Sequence, residues 1–127
     1  MINPYALWFK RVMLAGVVVN LLLALPAVLV PNAVLALVGG EPAIFPIWPA
    51  FAGLLLVLLS LFYIPPALDP FRHRAAAWLS VLARWAGVWF FLGLQDDFHL
   101  FGYLDLVFAL PETVLLVLTY REEGRLS

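Results

Sequence analysis

The sequence predicts an all-α fold, an integral membrane four-helix bundle, and three observations carry that reading. Of 127 residues, 65% are hydrophobic and only 12% are charged, whereas a soluble domain of this size covers itself with about 25% charged residues. Four apolar runs, residues 12–30, 47–64, 75–94 and 100–119, each approach the roughly 20 residues that cross a bilayer as a helix. The basic side chains are segregated. Lys10, Arg11, Arg72, Arg74, Arg121 and Arg125 fall on one side of the implied topology, and the opposite loops hold no Lys or Arg. By the positive-inside rule both termini are then expected in the cytoplasm. One membrane domain over residues 1–127 is expected, with the lipid bilayer as its first partner.

Taken in order, residues 1–11 place Tyr5, Trp8 and Phe9 beside Lys10 and Arg11, the makeup of an interfacial stretch. The run that follows is too long for a signal peptide and precedes three more spans, so it is read as the first span. Within it Gly16, Asn20 and Ala24 share one face at four-residue spacing, which lets a second helix approach closely and gives Asn20 a partner to bond across the contact. Pro31 opens and Gly39-Gly40 closes a short apolar segment. It is too short to span and is expected as an interfacial helix between spans 1 and 2. Pro42, Pro46 and Pro49 punctuate the approach to the second span, whose packing face is marked by Gly53 and Ser60 and which Pro65 and Pro66 are expected to end. The third span begins after the loop holding Asp69, Arg72, His73 and Arg74, and a tight turn with Asp96 and Asp97 leads to the fourth.

Several function classes are excluded. Cysteine is absent, which removes disulfide, thiol-redox, iron–sulfur and thiolate-zinc chemistry. A formal net charge of −1 without a basic run gives no footing for nucleic acid. No phosphate loop, nucleophile elbow or metalloprotease helix motif occurs, so no catalytic residue is assigned. His73 and His99 fall on opposite sides and cannot jointly ligate one haem. Asp96, Asp97 and His99 are read as a solvated turn, and no metal site is expected.

What remains is a charge in the wrong solvent. Arg84 lies about 15 Å from either end of the third span at 1.5 Å per residue, where a lone cation costs roughly 2.5–3.5 kcal/mol. The fourth span supplies Asp105 and Glu112, seven residues apart on one face. Arg84 shares its own face with Ser80 and Gly87, and Asn20 lies near the same depth. Arg84, Asp105, Glu112 and Asn20 are therefore expected to form one buried polar cluster. One positive and two negative groups do not balance, so one carboxyl group, Glu112 in this reading, is expected to be neutral. The cluster reads either as an ion pair that fixes helix register or as the polar end of a ligand pocket or proton relay. Trp78, Trp85 and Trp89 form a stripe on the third span. It reads as packing or lipid contact, or, through Trp85 and Trp89 beside Arg84, as an aromatic wall for a flat ligand such as a quinone.

Two internal echoes occur: Asn20-Leu-Leu-Leu-Ala-Leu-Pro26 against Asp105-Leu-Val-Phe-Ala-Leu-Pro111, and Phe51-Ala-Gly53 against Trp85-Ala-Gly87. They are read either as chance matches in leucine-rich helices or as a duplication, which in transporters puts the site where the halves meet.

Ala83-Arg84-Trp85-Ala86-Gly87, Leu104-Asp105-Leu106 and the proline-opened segment from Pro31 to Gly40 resemble the DoxX/DoxD-like assemblage of small bacterial four-helix membrane proteins, which includes families of unknown function. The resemblance covers nearly the whole chain. It implies a bacterial cytoplasmic membrane protein and, for some members, a role as the membrane subunit of a quinone-linked oxidoreductase. Arg84 and Asp105 match as polar positions, while Pro49 stands where a second-span polar residue is expected. The leading expectation is a non-enzymatic accessory or assembly subunit of a larger membrane complex, partnered by other membrane subunits or by copies of itself, because the loops are too short for a soluble active site. The alternatives are a quinone- or lipid-binding module of a redox complex, and a small proton-coupled transporter working as an oligomer through Glu112.

Overall fold

A computed structural model describes residues 3–126; Met1, Ile2 and Ser127, which belong to the expected domain, lie outside the described residues. The described chain is helical with no strand: α1 (Pro4–Leu29), α2 (Pro31–Leu37), α3 (Ile47–Phe62), α4 (Ile64–Leu68), α5 (Arg74–Val88), a π-helical turn (Trp89–Leu94) and α6 (His99–Leu126). Four continuous segments, Pro4–Leu29, Ile47–Leu68, Arg74–Leu94 and His99–Arg125, are long and apolar enough to cross a membrane. They pack as an antiparallel bundle in which α1 contacts α3, α4 and α6, and α5 lies against α6.

Two boundaries and one helix type differ from the sequence reading, each for a local reason. The expected interfacial stretch is not a separate segment but the first turns of α1. The Asn3 side chain caps the helix by accepting from the backbone N–H of Tyr5 and Ala6, and Pro4 occupies the first helical position, where no N–H is needed. A helix of 26 residues is about 39 Å long against a hydrocarbon core of about 30 Å. It is therefore longer than such a core, and in its first turns Trp8 is exposed with the Arg11 guanidinium 4.9 Å over its ring.

Pro65 and Pro66 do not end the second span. They open α4, and the chain tightens through the 3₁₀-type hydrogen bond Tyr63 N–H to Ser60 C=O before Ala67 donates to Tyr63. Proline is tolerated in a first turn because its missing N–H would be unpaired there anyway. The third span is not α-helical throughout: its last turn widens to a π-turn closed by Gln95 N–H to Phe90 C=O. Such turns are rare, and they recur at functional sites.

One end of the bundle gathers the start of α1, the end of α6 and the 69–73 loop. Asn3 Nδ2 donates to the Thr119 carbonyl, the Tyr120 hydroxyl donates to the Pro70 carbonyl, and Arg74 pairs with Glu123. The half of the bundle nearest this end is solid: Phe9, Met13 and Val17 of α1 meet Tyr63, Ala67, Ala77, Val81 and Leu116 in one buried cluster. Toward the other end the packing depends on small residues. A Cβ on Gly53 would lie 3.0 Å from the Ala24 carbonyl and 3.0 Å from the Ala27 Cβ, so α1 and α3 touch backbone to backbone. Gly53 and Ser60 are the buried residues of α3, as their spacing implies.

Candidate functional site

Arg84 sits where the solid half gives way to the hollow one. It is 4% exposed, carried there by α5, whose buried face runs through Ala77, Ser80, Val81 and Arg84. Its Nη1 donates twice, to Asp105 Oδ1 on α6 at 2.8 Å and to Asn20 Oδ1 on α1 at 3.1 Å. Nε lies 3.8 Å from Glu112 Oε2, an ion-pair distance without a hydrogen bond. The structure thus brings together the four expected polar residues from three helices, with unequal roles. Asp105 is the hydrogen-bonded partner, and Glu112, 1% exposed, is a second carboxyl group facing the guanidinium edge.

Two glycines make the room. A Cβ on Gly16 would lie 2.6 Å from Arg84 Nη2, and one on Gly87 would collide with Asp105 Oδ2. The guanidinium is also sandwiched by rings, its Cζ 4.9 Å from the centroid of Phe108 and 5.9 Å from that of Tyr63. These cation–π contacts spread the charge in a water-poor site. Phe108 was legible: it stands three residues after Asp105 and four before Glu112, on the same helical face. Tyr63, three residues after Ser60 on the packing face of the second span, was legible by the same spacing.

Beside the cluster lies a cavity of about 390 Å³, at the lower end of the 300–1,000 Å³ typical of small-molecule sites. Its floor is Asn20, Arg84 and Asp105, the only polar side chains that line it; its walls come from the second half of α1, the first half of α3 and the start of α6. From Asn20 to Pro31 along the chain the wall rises about 16 Å. There α2 contributes Pro31, Val34 and Leu35, so the short helix expected only to lie at the interface also forms part of the wall. Phe91 of the π-turn, Phe98 and Phe101 supply the aromatic surface. Phe98 holds a left-handed backbone, φ 61°, unfavourable for a non-glycine residue by roughly 1–2 kcal/mol. Its ring stacks on Phe101 and covers Gly40, whose Cβ would lie 2.8 Å from the ring edge.

The aromatic wall expected from Trp85 and Trp89 is elsewhere. Trp85 turns into the α5–α6 contact, where its Nε1 donates to Thr113 Oγ1 at 2.8 Å; Trp89 is 63% exposed on the outer surface. Neither lines the cavity. One position after Arg84 faces about 100° away on a helix, so an arginine and its immediate neighbour do not share a wall.

The internal echo has a structural meaning other than duplication. A tandem repeat would match α1 with α5 and α3 with α6, whereas the echo matches the first span with the fourth and the second with the third. What the matched residues share is chemistry: Asn20 and Asp105 accept from the same Arg84 nitrogen, and Gly53 and Gly87 each leave room for a neighbouring helix, Gly53 for the Ala24 carbonyl and Gly87 for the Asp105 side chain. Comparison with family models, with curated proteins and with solved structures finds no match to this chain.

Proposed function

We propose that this membrane protein binds an apolar, lipid-like molecule within its bundle, with the polar end of that molecule against Asn20, Arg84 and Asp105 and its apolar body along α1 and α3. The observation that carries the reading is the cavity itself: about 390 Å³ with three polar side chains at one end and none elsewhere. The π-turn and the left-handed Phe98 support it, because strained or irregular backbone persists where a site requires it and both supply cavity-lining rings. A quinone, whose reduced form carries a hydroxyl head, is one such molecule, as the DoxX-like resemblance implies.

Purification of the full chain in mild detergent, followed by native mass spectrometry and solvent extraction, tests this. A roughly stoichiometric apolar adduct is expected, and it should be lost in Ala52→Trp, which places an indole in the cavity from an exposed position on α3. A wild-type chain carrying no adduct would overturn the reading.

A second reading is an accessory subunit of a larger complex in a bacterial cytoplasmic membrane, with both termini cytoplasmic. Its support is the shortness of the connections, the longest being residues 38–46, and the six basic residues at the end that holds both termini. Co-purification of a stoichiometric membrane partner tests it, and a lone monodisperse chain counts against it.

A further inference from the structure

Resting on the binding reading above, we infer that the head of the ligand is an uncharged hydroxyl, as in a long-chain alcohol, and is neither an anionic nor a cationic group. The inference follows from which atoms of the polar floor are already used. Arg84 can only donate, so the Asn20 atom facing Nη1 must be the carbonyl oxygen. That fixes the amide, and Asn20 Nδ2 is left as a donor with no acceptor among the described residues. Asn20 is 5% exposed and lines the cavity, so the cavity is where this donor can be met. Asp105 accepts one hydrogen bond, from Nη1, out of the roughly four that a carboxylate can take. Its side chain is 20% exposed and it also lines the cavity. The floor therefore offers one donor and one acceptor, bridged by the same arginine nitrogen.

Arg84 has nothing left for an anion. Nη1 is committed twice, and the two nitrogens without hydrogen bonds, Nε and Nη2, are fully buried, Nη2 against Gly16 and Nε toward Glu112. A carboxylate or phosphate head would meet no spare cationic donor and would put a negative charge beside Asp105. An ammonium could donate to Asp105 but would leave Asn20 Nδ2 facing another donor, and would add a positive charge beside the guanidinium that Asp105 already matches. A bare carbonyl could accept from Asn20 and give nothing to Asp105. A hydroxyl does both, accepting from Asn20 Nδ2 and donating to Asp105. Sites built to hydrogen-bond both ways discriminate strongly, because a mismatched head leaves a buried polar group unpaired.

The test is competitive photolabelling of the full chain in detergent with three probes: a long-chain alcohol, the matching carboxylic acid and the matching primary amine, each with a diazirine at the far end of the chain. The alcohol is expected to label α2 or the first half of α3 at concentrations about tenfold lower than the acid or the amine, and that preference should collapse in Asn20→Leu. Cavity labelling by the acid or the amine at equal or lower concentration would overturn the inference while leaving the binding reading intact. Retention of the alcohol preference in a folded Asn20→Leu would also overturn it. Failure of all three to label the cavity walls would overturn both.

Discussion

Removing Asp105 tests whether Arg84 is held by a specific partner or by its surroundings as a whole. In Asp105→Ala the guanidinium keeps Asn20 at 3.1 Å and the Glu112 carboxyl at 3.8 Å but loses its shortest bond, 2.8 Å. Stranding one member of a buried ion pair costs about 3–5 kcal/mol; with Glu112 close by, the lower end, about 3 kcal/mol, is expected. Asp105→Asn keeps an acceptor for Nη1 and loses only the charge, so it should cost less than the alanine change. Arg84→Met combined with Asp105→Ala should recover at least about 1.5 kcal/mol relative to additivity, since residues sharing a direct bond couple by about 0.5–3 kcal/mol. Glu112→Gln, at a position whose Oε2 has no hydrogen bond, should cost about 1 kcal/mol or less. The assay is equilibrium unfolding in mixed micelles followed by tryptophan fluorescence. A coupling energy near zero, or Glu112→Gln costing more than Asp105→Asn, would refute the assignment of Asp105 as the partner.

Three further predictions follow from the geometry. Gly16→Ala and Gly53→Ala should each destabilise by about 1–3 kcal/mol through overpacking, but only the first should be relieved by Arg84→Met, because only its Cβ meets the guanidinium; equal relief of both would sink the argument. Trp85→Phe should cost about 0.5–1.5 kcal/mol through loss of the hydrogen bond to Thr113, whereas Trp89→Phe should be near neutral in stability and in ligand content; a ligand lost with Trp89 would return that ring to the site. A cysteine at Glu41 or Asp97 should react with a membrane-impermeant thiol reagent on intact cells and one at Asp69 should not, against a chain with no native cysteine. Labelling at position 69 alone would invert the topology.

Legibility from sequence followed the range of the interactions. The spans, the packing glycines and the polar quartet could all be read because each is written in local spacing: apolar length, small residues at helical intervals, and ionisable residues that lipid does not tolerate unpaired. The cavity could not be read, since it is space left between α1, α3 and α6 and bordered by α2 and the π-turn, and no residue type encodes a void. Trp85 and Trp89 were read either as packing and lipid contact or as a ligand wall, and only their angular position decides, with Trp85 in the α5–α6 contact and Trp89 on the outer surface. The double proline at 65–66 misled: its rule is about where in a helix it stands, and it stands in a first turn.

The placement of Arg84 at the boundary between the solid and hollow halves of the bundle bears on whether it serves folding or binding. Without it, Asn20 and Asp105 would still stand on the cavity floor, but nothing would fix which way the Asn20 amide turns. With it, the same nitrogen that ties α5 to α1 and α6 orients Asn20 so that its amide N–H₂ is left unused. The lock therefore creates the recognition group instead of competing with it, and the unused donors of Arg84 are turned away from the cavity. On the proposed binding reading, folding depends most on Asp105 and Arg84 and head-group preference on Asn20, so the two are separable at different residues of one cluster.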